Sequence, residues 1–309
     1  VVLQEMERFD EAEATYMRAI ELKPDFFHAH NNLGSVLKEL DRLEEAEALL
    51  TKAITLKPDS AEAYSNLGTV MYLNGAKVSG LENLKKANNI DPNLLGNQIM
   101  LAILQARNTL GRTKVETDNI NDLEFRLAQS QSPLILKRRV EAALIPCLYS
   151  MTSVDVEKFE NSRNNDPRYG NGKCSQDFNL FKADSPIIKS VAEDLIIMMR
   201  DVVKSDIFVS ESFFNIFGAG GGIIPHTHLG SLDKNKSLNF AAQKYSLVYY
   251  LSVGDQNCTD PGILKLYDPS EELLPYDGMI AVFPAGRSHS SIYSGTKDRI
   301  IIGVNFYSL

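Results

Sequence analysis

At 309 residues, with 44% hydrophobic and 23% charged side chains, the chain has a globular composition and a length suited to two domains. A net charge of −8 and a pI near 5.3 exclude the basic face of a general nucleic-acid binder. No apolar run approaches the roughly eighteen residues of a membrane span, and the scattered Cys147, Cys174 and Cys258, outside any CxxC, suit reduced thiols in a cytoplasm.

The chain opens on Val1-Val2-Leu3-Gln4, without an initiating Met or a signal-peptide pattern, and reads as a sequence cut from within a longer protein. An internal period follows at once. Pro24, Pro58 and Pro92 fall 34 residues apart, as do Ala19, Ala53 and Ala87, and Leu33-Gly34 repeats as Leu67-Gly68. Each proline ends a helix, because it cannot continue the hydrogen-bond ladder. Small residues at Gly34, Ala46, Gly68 and Gly80 let paired helices approach, while Leu33, Leu37, Tyr64, Leu67 and Tyr72 fill the space between pairs. These positions resemble those of the tetratricopeptide repeat, which implies an α-helical solenoid over 1–112. A helix over 10–22 would complete a truncated first repeat, full repeats would span 26–57 and 60–91, and a capping helix would span 94–110. A partner helix fades after Gly111. The concave face of such an array implies a protein or peptide partner. His28 and His30 lie on different helix faces and make no paired metal site.

The stretch 113–165 reads as a connecting segment with helices at 134–148 and 154–163. Asp166–Phe181 reads as a turn entering a strand, and Pro186 opens an apolar-periodic helix to about Lys204. Beyond it, strands are expected at 207–217, 222–229, 244–253, 262–268, 278–283, 288–294 and 298–307, the texture of a sandwich or barrel over 166–309.

Of five histidines, three lie in this β region: His226 and His228 in "PHTH", and His289 in "GRSHSS". On one regular strand, residues i and i+2 point the same way, so a third histidine from another strand would complete a facial imidazole set suited to iron, zinc, copper or nickel. Arg299 opens the apolar strand "RIIIGVNFYSL", where no paired acid is evident.

His226, "YSLVYYLS", "GILKLYDP", "PYDGMIAVFPAGRSH" and the arginine strand, in that order, resemble the Fe(II)- and 2-oxoglutarate-dependent oxygenases of the prolyl-hydroxylase-like branch. The resemblance covers about 170–309. It implies a double-stranded β-helix (jelly roll) with flanking helices, an α+β multidomain chain, and Fe(II), 2-oxoglutarate and O2. By position it implies His226 and His289 as iron ligands and Arg299 as the partner of the distal carboxylate of 2-oxoglutarate. Tyr250 and Ser246 would face the same pocket and Leu264 would wall it, with no catalytic residue beyond the metal centre. Where most of the superfamily has an acidic ligand, this chain has His228. It either ligates, stands behind a two-histidine metal site, or marks a shifted register; ligation is the reading carried forward. Two rivals stay open. Gly220-x5-His226-x-His228 followed by Asp233, with Gly278-x5-Pro284-x-Gly286-x2-His289, resembles the cupin pattern and implies a three-histidine dioxygenase without 2-oxoglutarate. The other is an inactive repeat scaffold.

Overall fold

The 34-residue period becomes helices in the computed structural model, which describes residues 8–109, 132–156, 158, 168–230, 232–235 and 238–309. The chain divides into two compact units, Val1–Arg112 and Thr113–Leu309. In the first, α1 (Phe9–Leu22), α2 (Phe27–Glu39), α3 (Leu43–Leu56), α4 (Ala61–Leu73), α5 (Lys77–Ile90) and α6 (Leu95–Thr109) each pack on the next. The small positions do what the spacing predicts. A Cβ on Gly68 would stand 2.8 Å from the Gly80 carbonyl oxygen, and one on Gly80 would stand 2.7 Å from that of Gly68. Leu33, Leu37, Ala46, Leu50, Leu67 and Val70 form a shared core. The Ser60 hydroxyl caps α4 by accepting the Ala63 N–H at 3.2 Å. His30 is buried and its Nε2 donates to the Pro24 carbonyl at 2.8 Å, while His28 is exposed. Residues 110–131, where the partner helix was expected to fade, lie outside the described residues.

The second unit is built on two antiparallel sheets. One runs β1 (Leu134–Lys137), β10 (Met279–Pro284), β7 (Lys244–Ser252), β12 (Arg299–Ser308), β5 (Ile207–Phe217), β4 (Gly172–Ser175), β2 (Ser153–Asp155). The other runs β3 (Arg168–Tyr169), β6 (Gly221–His226), β11 (His289–Tyr293), β8 (Leu264–Leu266), β9 (Glu271–Leu273). Neither closes into a barrel among the described residues. Each of the seven expected strands falls on one of these, and β9 is additional. Among the described residues this unit also has the helices α7 (Leu144–Ser150) and α8 (Pro186–Val203).

Two expectations for the middle of the chain are corrected. Residues 134–148 are not one helix: 134–137 is an edge strand paired with β10, and only 144–150 is helical. A short apolar run such as Leu134-Ile135-Leu136 has no decisive period, and the open edge of β10 settles it as a strand. Residues 153–155 form β2, paired with β4, so the helix expected from 154 is corrected at its start; Val156 and Lys158 are helical, and 157 and 159–163 lie outside the described residues. Both strands belong to the seven-stranded sheet, so 113–165 is more than a connector.

All ten residues of β12 are buried, because both faces of its sheet are covered. Ile300, Ile302, Val304 and Phe306 join Phe214 and Ile216 of β5 against Ile188, Val191, Leu195 and Met199 of α8. Burying side chains of this size contributes roughly 1.5–3 kcal/mol each. The opposite alternation, Arg299, Ile301, Gly303 and Asn305, lines the cavities of the site.

Candidate metal centre

Antiparallel pairing of β6 with β11 sets His289 directly opposite His226. His226 ends β6. His228 therefore stands past the strand, held by its N–H to the Ala285 carbonyl at 2.9 Å, and not on the regular strand expected for both. The three rings nonetheless converge. Their centroids are 4.3 Å (His226–His289), 4.7 Å (His226–His228) and 5.0 Å (His228–His289) apart, and one nitrogen from each lies within 4.8 Å of the others.

The surroundings keep two of these rings uncharged. Burial, then the neighbouring His226, pushes His289 down to about 3, with its bond to the Arg287 carbonyl opposing. Burial, then His289, His226 and Lys244, holds His228 well below the ordinary histidine range. Tautomers follow from partners. A carbonyl only accepts, so the Nδ1–H of His226 donates to Ile224 (2.9 Å) and that of His289 to Arg287 (3.2 Å). In that tautomer the Nε2 lone pair is left for a ligand, the backbone orientation common behind metal-bound histidines. His228 differs. Asn305 accepts from Ser246 at 2.8 Å and donates to Glu211 at 2.6 Å, so its Nδ2 faces the Nδ1 of His228 at 3.3 Å. In that arrangement the His228 proton sits on Nε2, and ligation through Nε2 needs the Asn305 amide to turn over. Three converging imidazoles fit a divalent transition metal; the donor set alone does not select which.

A second group surrounds a cavity of about 30 Å³ that includes Tyr250, Leu264, His289, Ser291 and Arg299. Arg299 is buried, lies 5.2 Å from the Tyr250 ring centroid, and donates to the Gly262 carbonyl and the Tyr250 hydroxyl. Gly262 has φ +78°, and a side chain there would collide with the guanidinium. Burial lowers the Arg299 pKa from its ordinary value and raises that of Tyr250. Among the described residues no carboxylate pairs with Arg299 and nothing accepts the Tyr250 proton, and the buried Ser291 hydroxyl oxygen has no partner. An uncompensated buried cation beside two such hydroxyls fits an anionic oxygen ligand.

Ser246 lies elsewhere. It borders a larger cavity of about 280 Å³ with Arg168, Glu211, Asn215, the three histidines and Asn305. The two cavities share Ile223, Val248, His289 and Ile301. Arg168, Glu211, Asn215, Ser291 and Asn305 were not singled out from sequence. A lone amide inside an apolar strand, as in "FFNIF" or "GVNFY", was the signal available. Asp233 takes no part in the triad: its carboxylate meets Lys244 at 2.8 Å, Tyr307 at 2.6 Å and the Gly230 N–H at 2.8 Å.

Residues 2–61 match the family described as tetratricopeptide repeat, so the helical unit carries such repeats. No curated protein matches the chain. Similar solved structures include "Crystal structure of MamA" (20% identity, 40% of this chain, 69% of that chain, TM-score 0.32). Another is "First TPR of Spaghetti (RPAP3) bound to HSP90 peptide SRMEEVD" (18%, 35%, 85%, TM-score 0.33). Among the described residues no helix is long and apolar enough to cross a membrane.

Proposed function

We propose that the β unit is an Fe(II)- and 2-oxoglutarate-dependent oxygenase on a double-stranded β-helix frame. The repeat unit recruits its protein or peptide substrate, in the cytoplasm. One observation carries the reading: a buried arginine without a carboxylate partner among the described residues faces a cavity that reaches His289, one of three converging histidines. His226, His228 and His289 would hold the metal, and Arg299 with Tyr250 and Ser291 would take the distal carboxylate. Leu264 closes the wall. Bound iron with 2-oxoglutarate and O2 would oxidise a substrate C–H to C–OH, releasing succinate and carbon dioxide. The chain's own task is orientation and dryness. The Ile224 and Arg287 carbonyls fix two imidazoles, Gly262 leaves room for the guanidinium, and the apolar Ile223, Val248 and Ile301 line the stretch that both cavities share.

The absence of an acidic member in the triad favours a second reading, a three-histidine cupin dioxygenase. That reading leaves Arg299 unexplained, and Asp233, its motif carboxylate, is committed to Lys244 and Tyr307. Succinate formation by the full chain with Fe(II) and 2-oxoglutarate tests the proposal. O2 uptake without 2-oxoglutarate supports the cupin instead, and neither activity in folded protein leaves a repeat scaffold.

A further inference from the structure

Three polar side chains stand in one row across the seven-stranded sheet. Antiparallel register sets Asn305 of β12 opposite Glu211 of β5 on one side and Ser246 of β7 on the other. All three line the larger cavity; Asn305 and Ser246 are buried and Glu211 is half-buried. One contact of this row is a histidine of the triad, so the direction of the Asn305 amide matters to the metal centre.

That direction follows from what each neighbour can do. Ser246 does not decide it, since a hydroxyl donates to Oδ1 or, by rotating, accepts from Nδ2. His228 does not decide it either, because a neutral imidazole carries its single proton on either nitrogen. Glu211 does. A carboxylate only accepts, so its 2.6 Å contact requires Nδ2 of Asn305. The second proton on Nδ2 is then left for Nδ1 of His228, at 3.3 Å. Turning the amide over would set Oδ1 against the Glu211 carboxylate. A charge-assisted hydrogen bond would give way to a contact between two acceptors.

We infer that Glu211 is a positioning residue of the metal centre: through Asn305 it holds the His228 proton on Nε2 and makes that imidazole a conditional ligand. His226 and His289 need no such change, because their Nδ1–H groups donate to backbone carbonyls. His228 joins them through Nε2 only when the bond between Glu211 and Asn305 breaks. The proton leaving Nε2 then reappears on Nδ1, where the turned Oδ1 accepts it, and Nδ2 donates to Ser246. No proton is gained or lost. The inference rests on the reading of the triad as a metal site and is independent of 2-oxoglutarate.

Long-range proton–nitrogen NMR of the full, metal-free chain labelled at histidine reads the tautomer, with His228→Ala identifying the signal. The unaltered protein should carry Nε2–H. Glu211→Gln, whose amide can face either end of Asn305, should raise the Nδ1–H share about tenfold, the scale of a charge-assisted hydrogen bond. Nδ1–H in the unaltered protein, or an unchanged ratio in the variant, would overturn the inference. Co(II) titration then reads ligation. Glu211→Gln also removes a negative charge near the metal, which by itself weakens cation binding. Its effect is therefore measured twice, with His228 present and in His228→Ala, and the difference cancels the charge. With His228 present, the substitution should favour Co(II) about tenfold or more relative to its effect without it. Equal effects would overturn the inference and leave the metal centre standing. No Co(II) binding by the folded, unaltered protein would remove the metal centre and the inference with it. If Glu211→Gln does not fold, Glu211→Ala takes its place in both measurements, with the same outcomes expected.

Discussion

The helical unit and the β unit differ in what they bury. Among the described residues, the buried polar side chains of the first are His30, Asn31, Ser60, Thr69 and Asn97, none of them a charged type. The second buries Arg168, Asp233, Lys244, Arg287 and Arg299. Burying a charge costs stability unless a partner offsets it. Lys244 has Asp233 and Arg287 has Glu271, whereas Arg299 has no carboxylate among the described residues. The comparison separates a unit whose buried polar groups are uncharged types from one that buries an arginine without a carboxylate among the described residues.

The largest expected effect falls on the histidines. His289→Ala should weaken Co(II) binding by roughly 100-fold or more, beyond the 10–100-fold typical of residues behind a ligand. His228→Ala should cost less, because its Nδ1 faces the Asn305 amide nitrogen. Equal losses in a spectroscopic titration would erase that distinction. Next, Arg299→Gln should raise the 2-oxoglutarate requirement about tenfold to a hundredfold, the worth of a charge-assisted bond at ~1.5–3 kcal/mol, while Co(II) affinity holds. In the helical unit, Gly68→Ala pushes a Cβ against backbone atoms of Gly80 and Leu84. It should destabilise the repeats by ~1–3 kcal/mol, lowering the helical melting transition without changing metal affinity. A shift in metal affinity there would join what the comparison separates.

A smaller effect comes from pH. His289 is held at about 3 against an ordinary 6.5, so folding favours its neutral ring. That stability is complete above pH 6.5 and is lost as pH falls toward 3. The loss should be smaller in His289→Gln, as acid titration of the melting temperature would show.

The helical unit was legible because its information is local: proline, alanine and Leu-Gly recur every 34 residues, and Gly68 meets Gly80 within neighbouring helices. Strand positions were legible for a related reason, since alternation already put Ser246, Val248 and Tyr250 on one face. The site was harder. His226 meets His289 through a register that no local pattern encodes, and Ser246 proved to border a different cavity from Arg299. Arg168 and Asn215 come together only because β3 and β5 belong to different sheets that face one cavity. The strand at 134–137 was lost for the same reason, its partner being β10.

The central claim is that three histidines and Arg299 together bind metal and 2-oxoglutarate. Anaerobic titration of the full chain with Fe(II) and 2-oxoglutarate, followed by visible absorption, tests it most directly. A band that requires both additions is expected, absent in His289→Ala and displaced to higher 2-oxoglutarate concentration in Arg299→Gln. No band with folded protein, or an unchanged titration in Arg299→Gln, would contradict it.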